Sequence, residues 1–134
     1  MNFSTKVSVL FTFSLFAVLL MACQTDDIMK KVIGVTWIYS FEDDKDGTEA
    51  YRPETYQFPP ARGREGWKFE EDGTLKKQAI APTDGYVTKD GKWTFYVNED
   101  KKNILNIVLE NEKINYEIIS VSDSILFVKP IQEK

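Results

Sequence analysis

Apolar residues recur at every second position along most of the chain, and each such run stops at a turn signal. Ile33, Val35, Trp37, Tyr39 and Phe41 share one parity, with Gly34, Thr36 and Ser40 between them. Trp67 and Phe69 alternate with Lys68 and Glu70, and Asp72-Gly73 then marks a hairpin into Thr74 to Gln78. Asp90-Gly91 opens a further strand in which Trp93, Phe95 and Val97 share a face. Leu105, Ile107 and Leu109 follow. Asn111-Glu112-Lys113 turns the chain into Ile114, Tyr116 and Ile118, and Ser122-Asp123-Ser124 turns it into Ile125 to Lys129. Tyr56 and Phe58 suggest one more strand, stopped by Pro59-Pro60. Period two is the signature of half-buried strands, and no stretch carries a helical stripe over three turns.

Eight such strands lie between Val32 and Lys129, about 12 residues for each strand with its turn, a spacing typical of barrels and sandwiches. Past residue 22 the chain holds fourteen aromatic residues, which suit pleated, half-buried surfaces. Successive hairpins favour an up-and-down antiparallel barrel of eight strands, whose closure removes exposed edges. The expected inward set is Trp37, Tyr39, Phe41, Trp67, Phe69, Leu75, Trp93, Phe95, Leu105, Ile107, Leu109, Tyr116 and Ile118. Such bulk favours a filled core over a pocket.

The N-terminal segment reads as an address. One basic residue, Lys6, precedes fifteen uncharged residues, Val7 to Met21, enough for a signal-peptide core and short of a membrane span. The run Leu20-Met21-Ala22-Cys23 resembles the lipobox of bacterial lipoproteins, which implies acylation of Cys23 as the new N-terminus. The expected organisation is a signal peptide over 1–22, a lipidated cysteine and tether over 23–31, and a barrel domain over 32–130. Asp26 and Asp27, just past the cysteine, resemble the surface-export tether of certain Gram-negative lipoproteins and read equally as a solvated linker. Gln24 to Lys30 spans about 23 Å if extended.

Gly34-Val35-Thr36-Trp37, the Phe-x-x-Asp-Gly hairpin from Phe69 to Gly73, Gly91-Lys92-Trp93, and Tyr116-x-Ile118-Ile119-Ser120 before Ile125-Leu126-Phe127 resemble the lipocalin-like domains of small bacterial lipoproteins. The resemblance covers about Val32 to Pro130. One extra residue separates Gly34 from Trp37 relative to the Gly-x-Trp of lipocalins proper. The resemblance implies an eight-stranded barrel and does not transfer a ligand.

Charge and missing residue types narrow the function. The chain carries a net charge of −4, so nucleic acid is not an expected partner. It contains no His and a single Cys, which excludes His-dependent nucleophilic sites, zinc sites with His or paired Cys ligands, and an internal disulfide. No enzyme activity, cofactor or metal is expected. In the acidic run Glu42-Asp43-Asp44-Lys45-Asp46-Gly47, the calcium-loop spacing fails at its twelfth position, Pro53, and the run reads as a solvated turn.

Arg62 and Arg64, around Gly63 and after Pro59-Pro60, form a candidate fork for a carboxylate or phosphate. Their structural alternative is pairing with Glu54, Glu65 or Asp84 to fix a crossover loop. Trp37, Trp67 and Trp93 are the candidate lining of an interior site. The expected function is that of a lipid-anchored lipoprotein of the bacterial outer membrane, on its periplasmic or surface side, binding a small apolar or anionic ligand. The alternative is a filled barrel that serves as a structural or interaction subunit with an envelope protein partner.

Overall fold

The computed structural model describes residues 25–132. The signal segment and Cys23 lie outside the described residues. The chain divides into two compact units, Met1–Lys30 and Lys31–Lys134. In the first, residues 25–30 are helical. A helix advances about 1.5 Å per residue, so this stretch reaches less than half as far as the extended spacer read from the sequence.

The second unit is a closed antiparallel barrel of eight strands: β1 Thr36–Tyr39, β2 Glu49–Pro53, β3 Gly66–Phe69, β4 Thr74–Ile80, β5 Tyr86–Val97, β6 Asn103–Leu109, β7 Glu112–Val121 and β8 Leu126–Ile131. This is the all-β, eight-stranded barrel expected from the alternation. From β3 to β8 each strand pairs with its successor, as in an up-and-down meander. Local turn chemistry fixes these hairpins; at β3–β4, Asp72 Oδ1 accepts the Thr74 N–H at 2.9 Å.

The order departs from a simple meander at the first hairpin. β1 lies between β2 and β3, and β2 closes the barrel against β8. β2 and β3 therefore run in the same direction, and residues 54–65 carry the chain back past β1. Strands of one sense cannot be joined by a tight turn, which is why this connection is long. Tyr56 and Phe58, expected on a strand, stack edge to face in this crossover at 5.0 Å. The strand lies earlier, over Glu49–Pro53, where Ala50 and Tyr51 are both buried.

β1 is shorter than its alternation suggests. The chain turns at Gly34, and Ile33 contributes only an isolated bridge to Phe69. At its other end, Phe41 enters a 3-10 turn and is 49% exposed, so it does not belong to the inward set. Tyr39 and Phe95 are half-buried; the other ten members of that set are buried.

Asp90-Gly91, expected to open a strand, lies inside the twelve-residue β5. There β5 exchanges β4 for β6 as its partner. A Cβ on Gly91 would sit 2.5 Å from the Val108 carbonyl oxygen, so the glycine permits the close approach of β6. Gly91→Val is expected to lower stability by about 2–3 kcal/mol in a denaturant titration, with the m-value unchanged. A neutral result would contradict that approach.

The barrel interior is occupied by side chains. Trp37, Leu75, Leu105 and Ile107 are at most 1% exposed, and Phe69 packs edge to face on Trp93 at 5.7 Å. The void among Tyr51, Trp67, Phe69 and Tyr116 is about 10 Å³. That is at the lower limit of the space one water needs.

Candidate functional site

The three tryptophans proposed to line an interior site are core residues whose indole N–H groups are satisfied internally. Trp37 Nε1 donates to the Val32 carbonyl at 3.0 Å, Trp67 Nε1 to the Tyr51 hydroxyl at 3.3 Å, and Trp93 Nε1 to the Glu70 carbonyl at 2.9 Å. Tyr51 passes the chain on, donating to Glu49 Oε2 at 2.9 Å. Burial pushes the Tyr116 hydroxyl up to about 12 and also raises Tyr51 and Tyr39, so all three phenols are neutral donors at ordinary pH. Among the described residues no buried side-chain nitrogen or oxygen lacks a partner. The interior therefore offers a ligand neither volume nor an unmet polar group.

Arg62 and Arg64 do not act as a pair. Gly63 between them adopts φ +63°, so the backbone reverses there and sends the two side chains to different places. Arg64 is 8% exposed. Its guanidinium lies against the Phe41 and Phe58 rings at 4.7 and 4.8 Å. Nη1 donates to Glu42 Oε2 at 2.9 Å and to the Tyr39 carbonyl at 3.2 Å. Nη2 donates to Glu42 Oε1 and to the Pro59 carbonyl at 2.9 Å. Arg64 thus ties β1, the 3-10 turn and the β2–β3 crossover together. This is the structural role foreseen for the loop arginines, performed with Glu42 rather than Glu54, Glu65 or Asp84. Glu42 was missed because only the turn after β1 brings it to the crossover.

Besides Glu42, the acidic run supplies two further anchors, Asp43 and Asp44. Asp43 Oδ2 accepts from Arg52 Nε at 2.7 Å and from Ser40 Oγ at 2.8 Å. Asp44 accepts the Ala50 N–H at 2.8 Å through one oxygen and the Tyr39 hydroxyl through the other. These carboxylates are engaged in fixing the loop, where the sequence reading has a merely solvated turn.

The hydrogen bond from Arg64 holds the Glu42 carboxyl below its ordinary 4.5, and Arg52 does the same for Asp43. A depressed folded-state pKa contributes stability above the unfolded value and loses it as pH falls through the folded one. Stability should therefore decline below about pH 4.5, and less steeply in Glu42→Gln. Arg64→Ala is expected to cost about 2 kcal/mol, the Glu42 side being open to solvent. Parallel acid titration curves for the wild type and Glu42→Gln would exclude the pair as a contributor.

Arg62 is exposed and has no ion pair among the described residues. It borders an open groove of about 390 Å³ with Gly63, Ile80, Asp84, Gly85 and Tyr86. The Asp84 carboxylate shares that groove, so its field is mixed rather than anion-selective. Arg62→Ala is expected to change stability by less than about 0.5 kcal/mol.

Compared with family models, with curated proteins and with solved structures, the chain gives no match.

Proposed function

We propose that the chain is a lipid-anchored lipoprotein of the bacterial outer membrane whose barrel works through its outer wall, as an interaction module for another envelope component. The filled interior supports this reading over carriage of a small apolar ligand: about 10 Å³ remains where a ligand pocket takes hundreds. The lipobox-like run ending at Cys23, the acidic residues after it and the lipocalin-like sequence features support the anchored setting. The anionic-ligand reading narrows to the groove beside Arg62, between the crossover and the β4–β5 turn.

The test is titration of the protein with cis-parinaric acid, read by quenching of the tryptophan emission. The proposed function predicts no saturable quenching at stoichiometric probe, because the probe has nowhere to enter. Saturable one-to-one quenching, abolished by unfolding, would restore the carrier reading.

A further inference from the structure

β5 outreaches β6. It pairs with β4 over residues 86–92, while β6 begins to pair only at Lys92, which faces Val108. The β6–β7 turn at Glu110 then leaves the sheet beside Asp90, and Glu110 holds Lys89 at 3.2 Å. No described residue pairs with the β5 edge from Tyr86 to Lys89 on that side.

The ladder parity identifies the free groups. The Ala81 N–H donates to the Gly85 carbonyl at 2.7 Å, and the Trp93 N–H to the Gly73 carbonyl at 3.0 Å. Odd-numbered residues of β5 therefore direct their backbone groups toward β4, and the even-numbered Tyr86 and Thr88 direct theirs off the sheet. An unpaired edge of this kind is a template for another strand, and this one carries neither proline nor bulge.

We propose that a second copy of this chain occupies the edge, with β5 pairing antiparallel to β5 of its partner about a two-fold axis at Val87. In that register Tyr86 exchanges both backbone hydrogen bonds with Thr88 of the partner subunit, and Thr88 does the same in return. Registers centred further along β5 run into the Glu110 turn. The side chains of the two central rows are compatible with this register. On one face the four-strand row reads Ala79, Val87, then the same two residues of the second copy in reverse. On the other, Ile80 and Tyr86 continue into Thr88 and Gln78 of the second copy, from the pairing of Gln78 with Thr88 and of Ile80 with Tyr86. No charge lies in these rows, although 28% of the chain is charged. Tyr86 and Val87 are 59% and 41% exposed, and a strand paired at this edge would lie beside both.

The experiment uses the full chain in its own membrane, oxidised with copper phenanthroline and resolved without reductant. Val87→Cys places two thiols opposite each other at a non-hydrogen-bonded pair, a geometry a disulfide can bridge. It is expected to give a cross-linked dimer, with Lys89→Cys and the wild type, whose only cysteine is Cys23, giving none. Thr88→Pro removes an N–H that points off the sheet and spares the β4 ladder, so adding it to Val87→Cys should abolish the dimer with unchanged tryptophan emission. Sedimentation of the wild-type chain in detergent, expected to show a dimer, gives a reading that does not depend on how the proline variant folds. Absence of the Val87→Cys dimer, equal cross-linking through Lys89→Cys, or a monomer in sedimentation would overturn the proposal. None of these results bears on the filled interior, and the sedimentation result does not depend on acylation of Cys23.

Discussion

Trp37→Ala is expected to lower the unfolding free energy by about 3–5 kcal/mol, a large share of the 5–15 kcal/mol that holds a typical domain together. The residue is 1% exposed. It pairs with Pro53 of β2 on one side and with Trp67 of β3 on the other, at the place where the sheet order departs from a meander. Truncation leaves a cavity between three strands and strips the Val32 carbonyl of its 3.0 Å donor. Trp37→Phe keeps most of the volume and loses the donor, so its cost should fall to about 1–2 kcal/mol. Denaturant titrations of both variants separate the two contributions. Equal and small losses would mean that Trp37 does not seal β1 into the barrel.

Cys23→Ala is expected to remove the protein from the membrane fraction or to block its processing, an all-or-none effect. A single acyl chain holds a protein only marginally, whereas several hold it firmly, so acylation of Cys23 would suffice for anchoring. Among the described residues no helix is long and apolar enough to cross a membrane. Metabolic labelling with radioactive palmitate gives the chemical readout: incorporation in the wild type and none in Cys23→Ala. Unchanged fractionation and unchanged mass would sink the lipoprotein reading.

The part of the fold from Trp67 onward was legible because its determinants are local. Each strand carries its own alternation, and each turn its own residues, such as Asp72-Gly73 and Ser122-Asp123-Ser124. The second strand was not, nor were the ends and sheet position of the first, because long-range closure sets them. β2 shows only Ala50 and Tyr51 as apolar signal, and nothing local indicates that β1 will sit between β2 and β3. Asp90-Gly91 looks like a turn and lies within a strand, where its glycine answers to the Val108 backbone on another strand. In the candidate site, a loop arginine seeking an internal acid was readable from the composition of residues 59–66. The identity of that acid was not, because Glu42 lies 22 positions away and reaches Arg64 through a turn whose geometry is tertiary. The tryptophans were readable as inward-facing, and their bulk already favoured a full interior.

The most direct test of the account is the intact mass of the protein purified from its own membrane, measured under native and denaturing conditions. A lipid-anchored barrel with a filled interior should show, under denaturing conditions, the chain from Cys23 onward plus its acyl groups, and no further mass per chain under native conditions. A chain that still begins at Met1, or a small molecule retained natively and released on denaturation, would contradict it.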